Sequence, residues 1–271
     1  MTSDEYFPDI GILKQRGLLP ETYECVYVTG SIIRGWGNAG SDYDLYVISD
    51  RPWVSDTADF VKGTNGRHPI ALETTKVAER AWDLEYWLSE QVEALLARVG
   101  WDEYRRHGAS AGPVTVPERD FLERLLYAVP LHGADWWQEH RERVEQSAFQ
   151  AIMVGRAARL AGEAIEDAVG MLRSGDHRSA VLAARIAFTY VVDALLTAAG
   201  DYSRNPKWHA RRFQEVESTL LSSNEYWAIE TMRDYSEDRP GAWVERVLDV
   251  CRRISKAVSA DERWAGPATT G

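Results

Sequence analysis

The residues best able to do chemistry stand close together near the start of the chain. Gly30-Ser31 is followed, after ten intervening residues, by Asp42-Tyr43-Asp44. An apolar run, CVYVT over residues 25–29, precedes the glycine, and another, LYVI over residues 45–48, follows the second aspartate. A glycine at the end of a strand lets the backbone come close to a ligand, and a serine there suits the start of a helical turn. Free N–H groups at such a start favour an anion such as a triphosphate. Two aspartates two apart on a strand project their carboxylates from one face, while Tyr43 and Leu45 go to the other. Oxygen-only ligation of that kind suits Mg²⁺ bridging nucleotide phosphates. Such ions activate an attacking hydroxyl and neutralise charge on the phosphorus being transferred.

These residues need a scaffold of short strands, and the texture of residues 25–75 predicts one. Residues 25–29, 42–49 and 69–75 read as strands, with glycine-bearing turns at 35–40 and 63–66. Beyond residue 76 helical spacing dominates. Apolar residues Ala81, Leu84, Trp87, Leu88, Val92, Leu95, Leu96 and Val99 recur near a 3.6 period, which predicts a helix over residues 77–99. Further helices are expected over residues 118–128, 135–172, 179–199, 208–222 and 242–260, and residues 264–271 read as a tail. The fold class expected is α+β. A small mixed-sheet domain over residues 1–107 is followed by an all-helical domain over 118–262, with the small-residue, proline-bearing stretch 108–117 as linker.

Bulk properties narrow the partners. With 31 basic and 42 acidic residues the net charge is −11, which argues against gripping long nucleic acids and favours a cationic small molecule. The two cysteines, Cys25 and Cys251, belong to no CxxC pair, so neither a disulfide framework nor a structural zinc site is expected. Residues 1–6 are acidic rather than basic-then-apolar, and the apolar stretch 180–200 is interrupted by Arg185 and Asp193. A cytoplasmic protein with no membrane span is therefore expected. The histidines show no metal-ligand spacing. Several of the 11 tryptophans, Trp36, Trp136, Trp137 and Trp208 among them, suit either core packing or the lining of a sugar or base pocket.

The strand, the glycine–serine pair, the ten-residue gap and the DYD strand together resemble the signature of the DNA polymerase-β-like nucleotidyltransferase superfamily. Within it the chain looks most like the streptomycin/spectinomycin adenylyltransferases. The resemblance implies a catalytic front domain with Asp42 and Asp44 as metal ligands, two Mg²⁺ ions, and ATP or another nucleoside triphosphate as co-substrate. Gly30 and Ser31 would hold the phosphates. The segment ALETT over residues 71–75 resembles the family's third acidic strand, so Glu73 maps to its catalytic base or third metal ligand. Residues 166–213 are similar to the family's helical domain, and Lys207 matches the lysine expected to reach the nucleotide phosphates. The acceptor implied is a hydroxyl on a small molecule, an aminoglycoside-like antibiotic first and a biosynthetic intermediate second. A protein-modifying regulator of the toxin–antitoxin type shares the chemistry. One further pattern is present: Arg204-x4-His209 also resembles the dyad of RNA-cleaving HEPN domains. Arg211 and Arg212 make residues 204–212 the most basic short stretch of the chain. Asp167, Asp193 and Asp201 are candidates to hold a cationic acceptor.

Overall fold

The computed structural model describes residues 7–63, 68–108, 114–203, 205–216 and 218–267. Arg204, and parts of the 63–66 turn, the 108–117 stretch and the 264–271 tail, lie outside the described residues. The chain is α+β and divides into two units. The first comprises Met1–Glu103 and Gly112–Ser147, the second Tyr104–Ala111 and Ala148–Gly271.

The first unit is built on a six-stranded sheet with order β3-β4-β5-β2-β1-β6. Its strands are β1 (Cys25–Thr29), β2 (Tyr43–Ser49), β3 (Asp59–Val61), β4 (Ile70–Val77), β5 (Arg80–Leu88) and β6 (Val129–His132). β2 and β5 run parallel, and the other neighbouring pairs are antiparallel. One face carries Val26, Val28, Tyr43, Leu45, Val47, Ala71, Trp82, Leu84 and Tyr86, packed with Leu13 of α1 (Ile10–Gln15) and with Leu18. On the other face Tyr27 and Tyr46 stack at 5.0 Å. Phe121 of α4 (Val116–Leu126) closes on Tyr27, Tyr46 and Trp87. α2 (Ser89–Arg98) and α5 (Ala134–Gln146) complete this unit, while α3 (Trp101–His107) straddles the division at Glu103.

Two expectations are corrected here. Residues 77–99 are not one helix: β4 runs to Val77, β5 is a nine-residue strand, and only Ser89–Arg98 is helical. The run RAWDLEYWL satisfies a period of 2 through Trp82, Leu84, Tyr86 and Leu88, and burial between β4 and β2 decides in favour of the strand. Residues 118–147 belong with the sheet rather than with the helical domain, because β6 pairs with β1. Gly133 makes the following turn possible. Its φ is +70°, and a Cβ there would lie 2.1 Å from the Glu24 carbonyl oxygen.

The second unit is helical: α6 (Phe149–Arg173), α7 (His177–Ala198), α8 (His209–Glu215), α9 (Ser223–Glu230) and α10 (Pro240–Ser259). Alanines at 157, 161, 164 and 168 give α6 a flat buried stripe, against which α7 brings Ala180, Ala184, Ala187 and Val191. The expected helix over 135–172 is two helices, broken at Ser147-Ala148, where the Ser147 hydroxyl donates to the Val144 carbonyl and ends α5. The expected helix over 208–222 stops at Glu215. α7 is long and apolar enough to cross a membrane, yet it is largely buried within this unit as a core helix.

Candidate active site

Register across the sheet places the acidic residues. Thr29 of β1 lies opposite Asp44 of β2, Asp44 beside Asp83 of β5, and Asp83 opposite Thr74 of β4. These four residues form one polar row on the face that carries Tyr27 and Tyr46. Asp42, two residues before Asp44 and just ahead of β2, lies close enough to Asp44 and Asp83 for its charge to act on both. The next row runs Tyr27, Tyr46, Glu85, Leu72. Two aspartates from adjacent strands, with Asp42 just ahead of β2, therefore meet at one edge of the face, with Glu85 behind them.

Glu73 is not among them. It lies opposite Leu84 on the other face, one residue out of phase with Thr74. Its carboxylate accepts a 2.9 Å hydrogen bond from the Trp53 indole, whose ring stacks on Tyr86 at 4.5 Å. The expected role of Glu73 as third acidic residue is corrected: the carboxylate in that place is Asp83. The signal for it lay in WDLEYWL, which alternates as DYDLYVIS does and interleaves two acids, but the helical reading of residues 77–99 concealed it.

Gly30 follows the polar row directly. Its φ is +92°, and a Cβ built there would stand 2.0 Å from Asp44 Oδ2, so only glycine fits. The helical turn expected after it is a hydrogen-bonded turn and not a helix: Arg34 N–H donates to the Gly30 carbonyl and Trp36 N–H to that of Ser31. A helix dipole is thus missing from the anion argument, and what Gly30-Ser31 offer a phosphate is the N–H groups of a turn and a hydroxyl. Arg34 pins this loop, its guanidinium lying 3.7 Å from the Trp36 ring centre and 4.0 Å from that of Tyr127. Trp36 is buried, a packing role rather than a pocket wall.

A guanidinium faces the carboxylates. Arg124 Nη1, from the last turn of α4, is 3.0 Å from Asp44 Oδ1 and 3.7 Å from Glu85 Oε1. It donates to the Tyr46 hydroxyl at 2.9 Å, and that hydroxyl donates to Glu85 Oε1 at 2.9 Å. Burial raises the Asp44 carboxyl to about 6; Arg124 opposes the rise, and the like charges of Asp42, Asp83 and Glu85 add to it. Asp83 is raised by burial and by the neighbouring Asp42 carboxylate, against the 2.6 Å bond it accepts from Thr74. Carboxyl groups set this close together stand where a cation would relieve their repulsion. Among the described residues no group of three or more His, Cys, Asp or Glu side chains forms a ready metal cage. The donor set still fits Mg²⁺ in its nucleotide-bound form, which takes one or two carboxylates and draws its other ligands from water and phosphate.

Lys207 belongs to the helical unit. It sits exposed in a 3-10 helix, Pro206–Trp208, capped by Asn205, with its ammonium 5.1 Å from the Trp208 ring centre. The neighbouring basic stretch is not a free patch. Arg212 is fully buried and bonds Asp201 at 2.8 Å and Asp193 at 3.3 Å. His209 is buried and bonds Asp193 at 2.7 Å. Asp193 and Asp201, considered for a cationic acceptor, are thus both engaged by the buried Arg212, and His209 is built into the core rather than presented to RNA.

No family model matches the chain, and no curated protein does. The fold is similar to the crystal structure of a nucleotidyltransferase-like protein from Exiguobacterium sibiricum 255-15, with a TM-score of 0.52 at 12% sequence identity, over 94% of this chain and 76% of that one. The chain therefore shares the fold of that protein. At this identity the likeness concerns the fold, and what the site does rests on its own residues.

Proposed function

We propose that this chain is a Mg²⁺-dependent nucleotidyltransferase that moves a nucleoside monophosphate, AMP from ATP in the first instance, onto a hydroxyl of a small molecule. The observation that carries the reading is the convergence of Asp42, Asp44 and Asp83 at one edge of the sheet face beside Gly30. Asp42 and Asp44 would hold the metal, and Asp83 either completes its ligation or takes the hydroxyl proton. Bound there, Mg²⁺ would supply charge neutralisation at the phosphates and lower the barrier to attack. Gly30 and Ser31 bind the triphosphate tail. The acceptor oxygen bonds to the α-phosphorus while the bond from that phosphorus to the bridging oxygen breaks. Pyrophosphate leaves, and the acceptor's proton passes to a carboxylate. A net charge of −11 supports a cationic acceptor, and an aminoglycoside-like antibiotic is the leading candidate.

The test is a pyrophosphate-release screen of the purified chain across nucleoside triphosphates and aminoglycosides, with Mg²⁺ and with chelator. Metal-dependent release that requires an acceptor supports the reading. Label from α-labelled ATP found only on protein redirects it to a protein-modifying transferase, and no release with any pair refutes it.

A further inference from the structure

We propose that Arg124 is an internal counter-cation that a divalent ion must displace from Asp44, so that this arginine sets the metal affinity of the site. The proposal rests on the reading of Asp42 and Asp44 as metal ligands and adds a residue that the reading did not contain.

The geometry is specific. Asp44 turns Oδ2 toward Gly30 and Oδ1 toward the guanidinium, 3.0 Å away. An arginine keeps its charge at any working pH, so it yields to a metal by moving and not by losing a proton. Its helix is firmly placed. Thr115 and Glu118 form a capping box at the start of α4. Glu118 bonds Arg98 of α2, and Phe121 packs against Tyr27, Tyr46 and Trp87. Thr29, the residue before Gly30, donates its hydroxyl to the Arg124 carbonyl at 3.1 Å, which ties the arginine backbone to the end of β1. Its guanidinium is held by Asp44, Tyr46 and Glu85.

The electrostatic consequence follows. Asp42, Asp44, Asp83 and Glu85 bring four carboxyl groups to the face, and Arg124 already satisfies the one nearest Gly30. A divalent ion arriving alone meets a like charge at its principal ligand. A triphosphate offers the guanidinium another anion, so metal and nucleotide bind better together than either does alone.

The test is a Mn²⁺ titration of the full chain, followed by the electron paramagnetic resonance signal of the free ion, without and with a non-hydrolysable ATP analogue. Arg124→Gln is expected to bind Mn²⁺ alone about tenfold more tightly than the wild type. Arg124→Lys, which keeps the charge, stays within about threefold of it. The nucleotide analogue tightens Mn²⁺ binding in the wild type and does so less in Arg124→Gln. Tyr46→Phe removes one anchor of the guanidinium while keeping every carboxylate, and it shifts Mn²⁺ affinity in the same direction by a smaller factor. This variant keeps the proposal testable if Arg124→Gln does not fold. Equal or weaker Mn²⁺ binding in folded Arg124→Gln, or in Tyr46→Phe where the first is unfolded, overturns the proposal. If Asp44→Asn still weakens binding in that case, the metal assignment survives it. Mn²⁺ binding indifferent to Asp44→Asn overturns both.

Discussion

Replacing Gly30 by alanine should damage the site and its scaffold together, by an amount the geometry allows to be worked out. The position has φ of +92°, and holding a non-glycine residue in such a sparsely populated conformation costs about 1–3 kcal/mol. The added methyl would also lie 2.0 Å from Asp44 Oδ2. To regain an ordinary carbon–oxygen contact the carboxylate must withdraw by about 1 Å or more. That movement disturbs its 3.0 Å pairing with Arg124 and its alignment with Asp42 and Asp83. Strain and disturbed pairing together come to about 2–5 kcal/mol. At about 2–4 °C per kcal/mol, the melting temperature of the sheet unit should fall by about 4–20 °C. Gly17 is the internal control, because its φ is +66° and an added Cβ meets nothing within 4 Å. Gly17→Ala should carry the conformational strain alone. The assay is thermal unfolding followed by near-ultraviolet circular dichroism, which reports on the aromatic packing of Tyr27, Tyr46 and Phe121. Gly30→Ala destabilising no more than Gly17→Ala would refute the close approach to Asp44.

Other perturbations probe the frame around the site. Arg212→Met leaves Asp193 and Asp201 without their buried guanidinium and should cost about 3–5 kcal/mol in urea unfolding of the helical unit; a loss below about 1 kcal/mol would contradict the buried network. His209→Ala should lower the melting temperature and leave RNA cleavage at the background of the wild type, whereas a nuclease activity lost in the variant would revive the RNA-cleaving reading. Glu93 is drawn down to about 2 chiefly by its hydrogen bonds from Arg143. The stability it contributes is present above the ordinary glutamate range near 4.5 and fades as pH falls toward 2. The carboxylate is half exposed, so Glu93→Gln should cost less than about 1 kcal/mol at pH 6 and clearly less again at pH 2, a difference that urea midpoints at the two pH values would show.

Much of the front end was legible because its strands are short, apolar and punctuated by glycine. β1 stands where CVYVT predicts, and β2 follows DYDLYVIS from Tyr43 onward, which leaves Asp42 just ahead of the strand. Glu73 and Asp83 show where such reasoning stops. Whether Glu73 or Thr74 faces Asp44 depends on a one-residue register, which pairing partners set and local sequence does not. Asp83 was hidden for a related reason. Ala81, Leu84, Trp87 and Leu88 fit a helix as well as Trp82, Leu84, Tyr86 and Leu88 fit a strand, and only insertion between β4 and β2 separates the two. β6 is four residues long and carries Pro130, so nothing local announces it. In the helical unit, α7 and α10 lie close to their expected spans because their apolar periodicity is long. The charge of Arg212 was visible and its burial was not, since its partners Asp201 and Asp193 lie 11 and 19 positions away.

The most direct test of the central claim compares two carboxylates that the sequence alone ranks in the opposite order. Label transfer from α-labelled ATP to the best acceptor, with Mg²⁺, should fall by about 100-fold or more in Asp83→Asn, which stands beside Asp44. It should stay within about threefold of wild type in Glu73→Gln, which bonds Trp53 on the opposite face. Transfer that survives Asp83→Asn and is abolished in a folded Glu73→Gln would contradict the site as built here.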